Sequence, residues 1–158
     1  MNLFEILILG SQYCSGWYSP EVRILMGIMT HIIFLMDQLH QQYNCTDYHY
    51  DNEDISQRNE IIVRDLWELM RRLNRCYNWT DGHYTHDGSF LWDRQLERIL
   101  KDLQNFDTLH QRKNKSWTTK DQDGIAELSR MLATAAQKVR VAKLARDGKK
   151  VVSLSSHM

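Results

Sequence analysis

The chain has a single proline, three cysteines and only seven glycines in 158 residues. Proline breaks helix interiors by removing a donor and clashing with the preceding turn, so its near-absence leaves room for long uninterrupted helices. Cys14, Cys45 and Cys76 are odd in number and widely spaced. They exclude a disulfide framework and fit a reducing compartment. The three Asn-x-Ser/Thr matches at Asn44, Asn78 and Asn114 then read as chance. Glycine-rich phosphate loops, dinucleotide fingerprints and nucleophile elbows are missing. So is the Glu-x-x-His pair of di-iron bundles. The opening Met1–Glu5 lacks a basic start, and no secretory leader is expected there. The longest uncharged apolar stretch, Ile24–Met36, has 13 residues, short of the roughly 20 a membrane span needs. A buried core helix, and a cytoplasmic protein, are the readings it supports.

An excess of charge of one sign is also missing, since 20 Lys and Arg meet 20 Asp and Glu. The two portions of the chain are nevertheless opposed. Residues 1–110 hold 9 basic and 16 acidic groups, a net of −7, whereas residues 111–158 hold 11 and 4, a net of +7. Such asymmetry points to a basic segment that meets something acidic: nucleic acid, another protein, or the chain's own front half.

What is present is helix periodicity. Composition is that of one globular domain, 42% hydrophobic and 25% charged. Ser19-Pro20-Glu21 is a helix start, with Ser to cap orphan amides and proline at the first helical position. This helix is expected over 20–42, and it is apolar nearly all round from Ile24 to Met36. Such a helix is wrapped by others or lies in an oligomer interface. A second helix is expected over 54–77, with a seam of Ile62, Leu66, Leu69, Leu73 and Cys76. Its wet side offers the one-turn pairs Arg64–Glu68 and Glu68–Arg72. A third, over 89–106, carries Trp92, Leu96, Ile99, Leu103 and Phe106, with a Glu97–Lys101 pair. A fourth, over 119–147, begins at a capping box of Thr118 and Asp121. It is expected to stop at Gly148. Its seam is Ile125, Leu128, Leu132, Ala135, Val139 and Ala142, and the next positions fall near Lys143 and Arg146. The expected architecture is therefore all-α: a single-domain bundle of about four helices over 1–148, with a projecting basic C-terminal helix end and a flexible tail at 149–158. Residues 1–18 combine an apolar run, Ile6–Leu9, with a Gly/Ser-rich stretch, and read equally as a short strand or a tail packed on the core.

Three groups of residues are candidates for function. The first is basic: Arg112, Lys113 and Lys115 ahead of the fourth helix, and Lys138, Arg140, Lys143, Arg146, Lys149 and Lys150 at its end. Projecting cations can neutralise phosphates without sequence preference, or dock on an acidic protein surface. They also complement the helix dipole with no further role. An isoelectric point of about 7.1 argues against nucleic acid, whose binding domains often exceed 9. The second is the loop Asp81, His83, His86 and Asp87, whose ligand types suit a divalent metal. His49, Asp51, Glu53 and Asp54 would complete the sphere if the loops meet, but neither stretch matches a zinc-finger spacing, and a solvated turn explains the loop without any metal. The third is the set of helix carboxylates Glu60, Asp65, Glu68, Asp93 and Glu97, which read as surface ion pairs. His31 and His40 are expected in the core with hydrogen-bond partners, and Cys76 is expected to pack. The five tryptophans are candidate core or interface anchors.

No cofactor is implied. The leading reading is a non-enzymatic helical interaction or regulatory protein that docks on a protein partner or on itself as a homodimer. Its compactness suits a regulator of the phage or plasmid kind. The alternatives are a nucleic-acid adaptor gripping phosphate through the basic helix end, and a metal-dependent hydrolase using the 81–87 loop.

Overall fold

A computed structural model describes residues 18–44, 52–77, 92–106 and 116–156. These residues form four helices: α1 (Pro20–Asn44), α2 (Asn52–Tyr77), α3 (Trp92–Gln104) and α4 (Thr119–Ser156). No strand occurs among them. The chain is an all-α bundle. Each helix packs on its sequence neighbours, and α4 closes the ring on α1 through the most extensive of the interfaces.

Side-chain contacts fix the directions. Ser19 and Asp121 meet at the start of α1 and α4, and Arg146 of α4 reaches Gln42 near the end of α1. These two helices are therefore parallel. The Tyr77 hydroxyl donates to the Glu21 carbonyl (2.6 Å), so the end of α2 lies beside the start of α1 and the two are antiparallel. Lys143 of α4 contacts Asp93 and Glu97 at the start of α3. The apolar stripe of α3 stays buried from Leu96 through to Phe106 just beyond it, so the helix runs back along the bundle, antiparallel to α4.

The core takes the apolar stripe of every helix. Leu25, Met29, Ile32, Met36 and Leu39 of α1 meet Leu66, Met70 and Leu73 of α2, Leu96, Ile99 and Leu103 of α3, and Ile125, Leu132 and Val139 of α4. The buried hydroxyls of Thr30 and Ser129 are satisfied within their own helices, Thr30 on the Met26 carbonyl (2.7 Å) and Ser129 on the Ile125 carbonyl (2.8 Å). By length and hydropathy alone α1 is long and apolar enough to cross a membrane, but 56% of the qualifying 18-residue window is buried inside the bundle. That is how a core helix behaves.

Several local expectations are corrected. Gly148 does not end α4, which continues to Ser156. A helix-interior glycine costs only about 1 kcal/mol, too little to terminate a 38-residue helix by itself. Ala136 rather than Ala135 is the fully buried seam residue. Cys76 is exposed, because the buried stripe of α2 passes through Met70, Leu73 and then Tyr77. His31 is exposed, and His40 is half-buried beside Asn44 (3.1 Å). α1 is apolar all round its middle but not wrapped all round: Ile24 is 52% and Phe34 40% exposed.

Candidate functional site

The basic end of α4 is the site that sequence reasoning singled out, and its cations divide into two sets. Lys143 is turned inward: its side chain is 12% exposed, and its ammonium lies 3.3 Å from Glu97 and 3.6 Å from Asp93. Arg146 packs over the Tyr43 ring at 5.9 Å and comes within 3.5 Å of the Gln42 carbonyl. Neither projects. The position of these cations on the seam reflects contact with the acidic start of α3 and the end of α1. The expected Glu97–Lys101 pair gives way for the same reason, since Glu97 turns to α4. Lys138 and Arg140 are exposed. Arg112, Lys113 and Lys115 lie outside the described residues, as do the side chains of Lys149 and Lys150.

At about 100° per residue, Val141 and Leu144 share the outer face of α4, with Lys138 on one flank and Arg140 on the other. Val141 is 55% and Leu144 62% exposed. Two large apolar side chains one turn apart and bordered by cations form a patch that sequence periodicity did not reveal. Helical periodicity marks the buried stripe, and these two residues lie off it.

The inward cations complete a polar junction where α1 ends and α3 begins. Burial raises the Tyr43 hydroxyl above its ordinary value, and the Asp93 carboxylate adds to the shift. That hydroxyl and the Gln42 side-chain oxygen are both buried without a hydrogen-bond partner among the described residues. The opposite end of the α1–α4 pair carries the matching device. Asp121, fully buried, accepts hydrogen bonds from the Ser19 amide (3.1 Å), the Ser19 hydroxyl (2.7 Å) and the Thr118 amide (3.3 Å). Its own amide donates to the Thr118 hydroxyl (3.1 Å), which closes the expected capping box. Ser19 was expected to cap α1 with its side chain; its hydroxyl instead serves Asp121. Burial alone would raise the Asp121 carboxyl, but the hydrogen bonds from Ser19 and Thr118 outweigh it and hold it below the ordinary range.

Of the other helix carboxylates, Glu60 and Glu68 form surface ion pairs. Arg64 meets Glu60 and Arg71 meets Glu68 (3.0 Å), in place of the expected Arg64–Glu68 and Glu68–Arg72. Trp67 is buried with Arg98 over its ring at 5.7 Å, and Trp92 and Trp117 pack against the core. Trp17, Trp79, Cys14 and Cys45 lie outside the described residues, as does the whole loop of Asp81, His83, His86 and Asp87. His49 and Asp51 are outside as well, and so are the side chains of Glu53 and Asp54. Among the described residues, no three His, Cys, Asp or Glu side chains gather as a metal would require. Compared with protein families, curated proteins and solved structures, the chain shows no match.

Proposed function

We propose that this is a non-enzymatic, cytoplasmic docking protein that regulates by binding another protein through the outer face of α4. The observation that carries the reading is the pair Val141 and Leu144, each more than half exposed, between the exposed cations Lys138 and Arg140. An apolar centre with a polar rim is the anatomy of a protein interface. The partner this chemistry fits is a helix or ridge with apolar centre and acidic flanks. A second copy of the chain is one such partner, since its residues 1–110 carry a net of −7. The nucleic-acid reading draws less support: Lys143 and Arg146 are engaged within the bundle, and the two free-standing cations are separated by apolar side chains that contribute nothing to phosphate binding.

Size-exclusion chromatography with light scattering tests this, with and without mixed short DNA and RNA, at low and moderate salt. The expected result is self-association, or association with a presented acidic amphipathic peptide, that Val141→Asp with Leu144→Asp removes. A salt-sensitive shift with nucleic acid, abolished by Lys138→Glu with Arg140→Glu, would overturn it in favour of phosphate binding.

A further inference from the structure

The outer side of α1 carries a second seam. Its buried seam is Val22, Leu25, Met29, Ile32, Met36 and Leu39, at alternating steps of three and four. Two residues further along, Ile24, Gly27, His31, Phe34, Gln38 and Gln41 repeat the same steps. Two residues turn a helix by about 200°, so this second row faces away from the core. Its members are exposed except for half-buried Gln38. A row of this period is what a facing helix packs against.

Exposure to water does not account for its composition. The outward positions of α2 are rich in charge, with Arg58, Arg64, Asp65, Arg72 and Arg75 exposed, as a solvated helix face requires. From Ile24 to Met36 α1 has no charge at all, outward positions included. Gly27 points the same way. A mid-helix glycine weakens its helix, yet a Cβ added there would meet nothing within 4 Å among the described residues. The bundle gives this glycine no task; close approach of another helix does.

The row complements itself. About a twofold axis level with Met29, two antiparallel copies of α1 set Ile24 against the partner's Phe34. The same axis sets Gly27 against the partner's His31, a gap against an imidazole. Arg23 and Asp37 each precede a member of the row by one residue and are exposed, so they share one flank. Like flanks meet in an antiparallel pair, and each Arg23 falls beside the partner's Asp37. A parallel pair would put these two on opposite sides and leave Gly27 facing the partner's Gly27.

We propose that the chain forms a homodimer through the outer row of α1, packed antiparallel on its copy. The contact runs from Pro20 to Gln38, about 27 Å of helix. One helix from each partner buries an area at the low end of specific interfaces, so the dimer dissociates on dilution. The outer face of α4 stays open for a different partner.

Light scattering on the full chain, from low to high micromolar concentration, tests the proposal. The expected result is a dimer mass that declines to monomer on dilution. Ile24→Glu with Phe34→Glu should be monomeric throughout, with helix content unchanged because both positions are exposed. Val141→Asp with Leu144→Asp should leave the dimer intact. A wild type that is monomeric at every concentration would overturn the proposal, in favour of a lipid surface if it floats with phosphatidylcholine vesicles. A dimer lost in the α4 variant but kept in the α1 variant would overturn it in favour of the α4 face. Charge exchange tests the register without touching the apolar row. Arg23→Asp should weaken the dimer severalfold, since two symmetric pairs become repulsive, and adding Asp37→Arg should restore it. Failure of the double exchange to restore what the single one lost would overturn the antiparallel register.

Discussion

Replacing Asp121 by Ala should cost more than any ordinary helix cap. The carboxylate is fully buried and serves two helix starts at once, through Ser19 of α1 and Thr118 of α4. Loss of one N-cap acceptor typically costs about 1 kcal/mol. Here two backbone amides on separate helices lose their acceptor, and the Ser19 hydroxyl loses a charge-assisted bond worth at least about 1.5 kcal/mol. About 3 kcal/mol is expected, a sizeable fraction of the 5–15 kcal/mol typical of a domain. At roughly 2–4 °C per kcal/mol for a chain of this size, the melting temperature should fall by about 10 °C. Thermal melts followed by far-UV circular dichroism measure it directly. The effect has a pH signature. The folded-state value of Asp121 is depressed below the ordinary 3.8, so its contribution is present above that value and lost as the pH falls through the lower folded-state one. Wild type and variant should therefore converge in strong acid and differ fully near neutrality. A neutral-pH difference under about 2 °C would refute the claim that one carboxylate joins the two helices.

Other perturbations test the remaining parts of the argument. Lys143→Glu sets a third carboxylate beside Asp93 and Glu97; because those acids are largely exposed, a loss of only about 1 kcal/mol in urea unfolding is expected, shrinking with added salt. Burial pushes the half-buried Asp102 carboxyl up to about 6. A raised carboxyl value disfavours folding above it, and that cost fades as pH falls from about 6 towards 3.8. Asp102→Asn should stabilise by about 1 kcal/mol near neutral pH, discounted for partial exposure, and by nothing below about pH 4. Cys76 is exposed, so it should react with a thiol reagent in the native protein, and Cys76→Ser should shift the melting temperature by no more than a surface substitution does.

The helices were legible because their apolar positions recur at three and four residues, and burial follows that pattern almost everywhere. Ile62, Leu66 and Leu73 on α2, and Leu96, Ile99 and Leu103 on α3, are all buried as spaced. The capping box at Thr118 was legible for a local reason, since both partners lie within one turn. What periodicity could not give was any contact made across helices. Glu97 has a sequence-local partner in Lys101 and a tertiary one in Lys143, and only the packing of α3 on α4 decides between them. Ser19 likewise has its own helix to cap and, 102 residues away, a carboxylate to meet. The exposed pair Val141 and Leu144 was invisible for another reason: an apolar residue off the seam reads as noise until its exposure is known.

The division of charge along the chain takes on a more specific meaning in this geometry. Parallel helices place like dipole ends side by side, positive at the starts and negative at the ends. α1 and α4 are such a pair, and a carboxylate, Asp121, sits between their two starts. α1 has no basic residue in its last turn; Arg146 comes from the neighbouring helix to the Gln42 carbonyl in that turn instead. Lys143 beside it joins the same helix to the acidic start of α3. A basic end on α4 and an acidic front half are thus partly a requirement of this helix arrangement rather than a signature of an outside ligand. The cations left for recognition are those the bundle does not use. Lys138 and Arg140 are exposed on either flank of Val141 and Leu144. Their arrangement around an apolar ridge, rather than the summed charge of the segment, directs the reading towards a protein surface.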